Sequence, residues 1–196
     1  MSPWSGEELR RSALEALGEH ADERARDALV HASIEIVIAA AGWTGSGGPV
    51  QAHRVTLGFD ARTLGGLRAA PALKDALCAA LASAIAARPG ETLLDLQLRW
   101  MAEPRAAPAG YRDAPPNAPD ESLLDALTDY LAGAGQQALA ASLVGGAAHR
   151  TGRADVSLSL GPSAREALRS DARALATLTA ALEDLVAEEK LRIRVR

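Results

Sequence analysis

The feature that most constrains this chain is an internal repeat, because a duplicated unit dictates where equivalent helices and strands recur. "VTLGF" at residues 55–59 matches "VSLSL" at residues 156–160, and the same offset aligns the segments that follow. Upstream, "SALEAL" at residues 12–17 matches "SLLDAL" at residues 122–127. Downstream, "LLDLQLRW" matches "KLRIRVR", with alternating apolar residues in register: Leu94, Leu96 and Leu98 align with Leu191, Ile193 and Val195. The blocks keep one order in both halves, so we predict two related units.

Each predicted unit opens with a helix. Leucines recur at spacings of three and four residues over residues 5–29 and again over residues 119–132, which is typical of an amphipathic helix. The alternating segments that follow predict a β-hairpin, at residues 33–38 and 53–60 in the first unit. In the second unit, we expect the equivalent hairpin at residues 139–147 and 156–160.

A helical segment and a last strand complete each unit. We expect the first of these helices to break near Pro71, because the residue before a proline avoids helical geometry, and Ser170 to cap its counterpart. The predicted fold class is α+β, an internally duplicated helix-strand-strand-helix-strand unit with its helices packed on one face of small sheets. The predicted domains are residues 1–102 and 119–196, joined by a linker rich in Pro and Ala at residues 103–118.

The last strand, "KLRIRVR" at residues 190–196, alternates basic and apolar residues. With a period of two, Leu191, Ile193 and Val195 face the helices and the basic side chains face away. On one interpretation this polar face is only solvated surface. On the other, it is a docking surface for an acidic protein partner, since arginine makes bidentate contacts with carboxylates. The predicted partner-binding residues are Arg99, Arg192, Arg194 and Arg196, which flank the small residues Thr56, Gly58, Ser157 and Ser159.

Charge and aromatic content weigh against nucleic acid as the partner. The formal net charge is −4 and only 3% of residues are aromatic, so neither a basic field nor a set of stacking platforms is present. The predicted element order also occurs in one class of KH RNA-binding domain, which needs a GXXG loop between its middle helices. The corresponding stretches, "LRAAPA" and "LRSDAR", contain no glycine pair, and we do not assign the chain to that family. RNA binding through the polar face is kept as a less favoured alternative.

Motifs that carry chemistry do not emerge from the sequence. The glycine-rich "GWTGSGGP" lacks the Lys-Ser or Lys-Thr of a phosphate-binding loop, and the four histidines have no zinc-site spacing. Cys78 is predicted to be a helical core residue, and no spacing pairs the carboxylates as acid and base. We therefore predict no catalytic residue, cofactor or metal, and we do not expect an enzyme.

The single cysteine cannot form an intramolecular disulfide, and no segment resembles a signal peptide or a membrane span. We expect a cytoplasmic location, and the abundance of Ala, Arg, Gly and Leu indicates a GC-rich, bacterial source. The favoured function is a non-catalytic, protein-binding adaptor or scaffold module, with a homodimer as a further option. The alternative is a sensor that binds a small molecule or nucleotide between the two units.

Overall fold

The computed structural model describes residues 4–18, 21–43, 49–101, 121–150, 154–187 and 191–196. The predicted linker at residues 103–118 and Lys190 lie outside the described residues. The predicted α+β class is confirmed, since helices and two three-stranded sheets make up the described part of the chain. The helices are α1 (Gly6–Leu17), α2 (Glu23–His31), α3 (Ala61–Ala69), α4 (Pro71–Ala86), α5 (Glu121–Gly133), α6 (Gln137–Ser142), α7 (Pro162–Ser170) and α8 (Ala172–Val186). The strands are β1 (Ser33–Trp43), β2 (Pro49–Phe59), β3 (Glu91–Trp100), β4 (Ala147–Arg150), β5 (Asp155–Ser159) and β6 (Arg192–Val195).

The strands form two separate sheets, ordered β1-β2-β3 and β4-β5-β6. In the first sheet β1 pairs antiparallel with β2, with an irregularity in register between Ile38 and Ala40. In the second sheet β4 pairs antiparallel with β5, and β5 pairs parallel with β6. Both halves of the described chain show the order helix-helix-strand-strand-helix-helix-strand. This order is what the predicted duplication requires, and the duplication itself stays a prediction.

The contacts divide the chain into two compact units. Unit 1 comprises Met1–Phe59 and Ala70–Arg99, and unit 2 comprises Asp60–Ala69 and Trp100–Arg196. Helix α3, which lies in the first half of the sequence, therefore belongs to unit 2. The domain boundaries predicted from the sequence stay a prediction.

The core of unit 1 lies between its helices and the inward face of its sheet. Helix α1 begins where Ser5 accepts a hydrogen bond from the Glu8 amide, and it ends at Gly18, whose φ is 70°. It packs on α4 and on β1. Buried apolar side chains from α1, α4 and β2 fill this core, namely Leu9, Leu77, Leu81, Ile85, Val55, Leu57 and Phe59.

The core of unit 2 depends on a close approach of α3 and α5. A β-carbon added at Gly65 would lie 2.1 Å from the Tyr130 carbonyl oxygen, and one at Gly133 would lie 2.0 Å from that of Arg62. Only glycine fits at both places, and this allows the two backbones to touch. Buried apolar side chains from α3, α5, β5 and α8 fill the remainder of this core, namely Leu64, Leu127, Leu131, Leu158, Leu178 and Leu182.

Three local predictions are wrong. The helix expected over residues 5–29 is two helices, α1 and α2, and a second cap at Asp22 starts α2. The strand expected at residues 139–147 is the end of α6 and a turn, and β4 begins only at Ala147. Helix α8 is capped by Asp171, whose carboxylate accepts from the Arg173 and Ala174 amides, whereas the Ser170 hydroxyl donates to carbonyls of α7.

The length and apolar character of the described helices bear on whether they could cross a membrane. No single one of them is long and apolar enough to cross a membrane, and only α3 and α4 taken together, as a bent pair, have the required length and composition.

Candidate functional site

Strand β6 lies at an edge of the second sheet and carries most of the predicted partner-binding residues. Arg192, Arg194 and Arg196 are exposed, while Ile193 and Val195 between them are half-buried. The predicted alternation of this strand is therefore present in the structure. Alternate residues of a strand lie about 6.6 Å apart, so the three guanidinium groups form one row on the polar side.

None of these three guanidinium groups makes a hydrogen bond or an ion pair within the described parts of the chain. The nearest acidic register partner is Asp155 of β5, which lies opposite Arg192. Arg194 lies opposite Ser157, whose other neighbour in the sheet is His149 of β4. The row therefore retains hydrogen-bond donors and positive charge that its surroundings do not use.

Ser157 is the one predicted outward residue of the second sheet that is fully buried. It is 5% exposed, and its hydroxyl oxygen has no hydrogen-bond partner among the described residues. It stands on the polar side, as the strand period predicts, but the longer register neighbours His149 and Arg194 flank it there. The prediction that Ser157 belongs to an open, flat surface is wrong for this reason.

Arg99 lies in the other sheet, on β3 of unit 1. Its guanidinium donates to the Gln97 side chain at 3.0 Å, and Gln97 donates in turn to Asp95 at 3.1 Å. Asp95 also pairs with Arg54 of β2 at 3.3 Å. The polar side chains of β3 are thus linked to one another by hydrogen bonds. The structure brings Arg192 and Arg194 together on β6, with Arg196 directly after the strand, and places Arg99 in a different sheet.

The small residues predicted to form the same surface are divided in the same way. Thr56 and Gly58 belong to β2 of the first sheet, and Ser157 and Ser159 belong to β5 of the second. Gly58 is buried, whereas Thr56 and Ser159 are half-buried. Apolar alternation on β3 also differs from the prediction, because Leu94, expected to face inward, is 58% exposed.

A buried polar cluster in unit 1 was missed by the sequence analysis. Glu91, the first residue of β3, accepts a hydrogen bond from the Trp4 indole at 2.6 Å, and His53 Nε2 lies 2.9 Å from the same carboxylate oxygen. The Arg88 guanidinium stacks 3.7 Å above the Trp4 ring and pairs with Glu8 at 2.5 Å. The signal was available, because His53 shares the two-residue period of the inward-facing Val55, Leu57 and Phe59.

The position of this cluster indicates a structural role. His53 and Glu91 are 3% and 4% exposed, so a substrate does not reach them. A general acid or base has to come within hydrogen-bond distance of the group that it protonates or deprotonates. The cluster instead ties the segment before α1 to the sheet.

A second polar network holds α3 within unit 2. The Tyr130 hydroxyl donates to Asp184 at 2.6 Å, and Arg68 of α3 pairs with the same carboxylate at 2.8 Å. Burial, and then the hydrogen bond to Asp184, raise the pKa of Tyr130 well above its usual value. Tyr130 therefore stays protonated and acts as a donor at any physiological pH.

The remaining candidates for a site are metal-binding groups and surface depressions. Within the described ranges, no group of three or more His, Cys, Asp or Glu side chains is placed to hold a metal ion. Two open depressions are present, of about 410 Å³ beside α1 and of about 470 Å³ between α6, α7 and α8. In the second, the hydroxyls of Ser142 and Thr177 already donate to carbonyls of their own helices. The Asp171 carboxylate, which also lines it, accepts from the Arg173 and Ala174 amides at the start of α8.

No model of a known protein family matches the chain, and no curated protein sequence matches it.

Proposed function

We propose that this protein is a binding module without catalysis of its own, which acts as an adaptor or scaffold by binding an acidic protein partner through β6. The observation that carries the proposal is the row of Arg192, Arg194 and Arg196, exposed on an edge strand and without an ion pair in the described structure. Arginine is suited to this role because its planar guanidinium donates two parallel hydrogen bonds to a carboxylate.

The charge of the chain as a whole makes this row more distinctive. The formal net charge is −4, so three adjacent cations are a local departure from an acidic background. Complementary charge of this kind speeds encounter and selects against partners with like charge more than it raises affinity. An acidic segment of a protein fits the row better than nucleic acid does, because the exposed side of β6 has no aromatic side chain on which a base could stack.

The test is charge reversal on β6 with a matched control. In the variant R192E/R194E, two cations of the row become anions. In the control R11E/R169E, two exposed arginines on α1 and α7 undergo the same change, so the net charge of both variants is identical. A partner is first isolated from a lysate of the source organism on the immobilised wild-type protein, and its affinity for the three proteins is then measured by calorimetry at two salt concentrations.

We expect the reversal on β6 to weaken binding by about thirtyfold or more. The two lost contacts, at about 1 kcal/mol each, account for about thirtyfold, because about 1.4 kcal/mol corresponds to a factor of ten, and the new repulsions add to this loss. The control variant should bind like the wild type, and the wild-type affinity should fall as salt rises. Equal binding by R192E/R194E and the wild type would contradict the proposal, as would a partner that loses no affinity in high salt.

A further inference from the structure

We infer that the partner binds as an added strand on the open edge of β6, and that it supplies an extended segment in which acidic and apolar residues alternate. This inference rests on the proposed function and names the chemistry of the partner. Among the described strands, β6 has a neighbour, β5, on one side only. The backbone groups on its other side are therefore open to a further strand.

The hydrogen bonds to β5 identify which backbone groups face the open edge. The Arg192 amide donates to the Ala154 carbonyl at 2.8 Å, and the Arg196 amide donates to the Leu158 carbonyl at 2.8 Å. In a strand, alternate residues direct their backbone groups to the same side, so Arg194 also faces β5. The amides and carbonyls of Ile193 and Val195 then point away from β5. They offer two donors and two acceptors to an incoming strand.

The side chains of β6 define what that strand must carry. Residues placed laterally opposite Arg192, Arg194 and Arg196 stand on the same polar side of the sheet, where carboxylates make favourable cross-strand pairs. Residues opposite Ile193 and Val195 stand on the apolar side, and both of these side chains are half-buried, so a small branched apolar residue continues that face. The matching pattern is acidic, apolar, acidic, apolar, acidic.

The same charges exclude a second copy of β6 as the occupant. Two such strands in lateral register would place arginine opposite arginine, and like charges directly opposite one another are destabilising. β1, an edge of the first sheet, is different, since Glu35 is the one charged residue among Ser33–Trp43. An edge with so little charge does not distinguish an acidic strand from a neutral one. Of these two edges, β6 is therefore the one that selects for acidic residues.

The experiment uses capped, fluorescent peptides that carry the sequence Glu-Val-Glu-Val-Glu, with binding to the whole protein followed by fluorescence polarisation. One derivative is N-methylated at the two valines and a second at the last two glutamates, which follow them. In an antiparallel addition, the valine opposite Ile193 exchanges both hydrogen bonds with it, so valine methylation removes binding. In a parallel addition the bonds run to the flanking residues, so glutamate methylation removes it.

We expect the two methylated peptides to differ in affinity by at least tenfold, because one set of methyl groups blocks the bonds to β6 and the other points to solvent. Equal affinities of the two, or no binding of the parent peptide, would overturn the inference. A scrambled peptide, Glu-Glu-Glu-Val-Val, together with R192E/R194E separates this failure from that of the proposed function. If the scrambled peptide binds as well as the parent and only the variant loses binding, strand addition is wrong and recognition of acidic partners stands. If the variant binds like the wild type, both are wrong.

Discussion

The contact of α3 with α5 can be tested sharply by mutation, because two adjacent glycines of α3 differ in their surroundings. A β-carbon at Gly65 would lie 2.1 Å from the Tyr130 carbonyl oxygen, whereas the nearest atom to one at Gly66 is the Gly133 carbonyl oxygen at 3.6 Å. Both glycines lie inside a nine-residue helix, so replacement by alanine improves helix propensity equally, by about 0.8–1 kcal/mol. G66A is therefore the matched control for G65A.

The expected cost of G65A comes from the backbone that it meets. Since the Tyr130 carbonyl belongs to α5 and cannot rotate away, the two helices have to separate by about 1 Å before ordinary van der Waals distances are restored. Overpacking of this kind costs about 1–3 kcal/mol or more. G66A should be more stable than the wild type by up to about 1 kcal/mol, and G65A should be less stable than G66A by about 2 kcal/mol or more.

Hydrogen exchange followed by mass spectrometry measures this difference where it arises. In G65A, amides of α3 and α5 should exchange about thirtyfold faster than in G66A, which corresponds to about 2 kcal/mol in local opening. Amides of α1 and α4, which belong to unit 1, should serve as the internal reference. If G65A protects α3 and α5 as well as G66A does, the close approach of the two helices is wrong, and so is the assignment of α3 to unit 2.

Two further predictions concern buried polar groups and can be checked by urea denaturation. S157A should raise the free energy of unfolding by up to about 1 kcal/mol, because alanine removes a buried hydroxyl that has no partner in the described structure. S159A, on the same strand but half-buried, is its control and should change that free energy by less than about 0.5 kcal/mol. A destabilised S157A would show that the hydroxyl is hydrogen-bonded after all. E91A should destabilise by about 2–4 kcal/mol, because it leaves the half-buried Trp4 indole without its acceptor and removes the carboxylate that lies 2.9 Å from the buried His53 ring. E35A, which removes an exposed carboxylate, is its control, and equal stability of the two would refute a structural role for the cluster.

Periodicity predicted the elements whose packing is local. The alternation of β2 and β6 appears as predicted because a strand with one covered face has to place apolar residues at every second position. Helix ends were harder to predict from the sequence. The break after Leu17 depends on Gly18, whose positive φ ends α1, and no change in leucine spacing separates α1 from α2.

Tertiary contacts could not be predicted from the apolar periodicity of the sequence. The segment at residues 137–142 forms α6, although its alanines and leucines suit a strand equally well, and β4 starts only after Gly145, whose φ is 76°. The packing of α3 in unit 2 depends on Gly65 and Gly133, which meet only in the fold and lie 68 positions apart in the sequence. The existence of two sheets rather than one likewise follows from strand order, which no local period encodes.

The two sheets provide an internal comparison that favours β6 as the functional strand. Under the predicted alignment, Asp95, Gln97 and Arg99 of β3 correspond to Arg192, Arg194 and Arg196 of β6. The β3 row is closed, since Asp95, Gln97 and Arg99 are linked by hydrogen bonds and Arg54 pairs with Asp95.

The charge of that pair is reversed in the second sheet, where Asp155 takes the place of Arg54 and Arg192 the place of Asp95. An acidic residue thus lies opposite a basic one at this position in both sheets, although only Arg54 and Asp95 form an ion pair. At the next two positions β3 carries an amide and one arginine that bond to each other, whereas β6 carries two arginines, and like charges two residues apart do not support one another. Because stability alone does not favour this difference, Arg194 and Arg196 are the residues of the row that most need the proposed binding function to account for their presence.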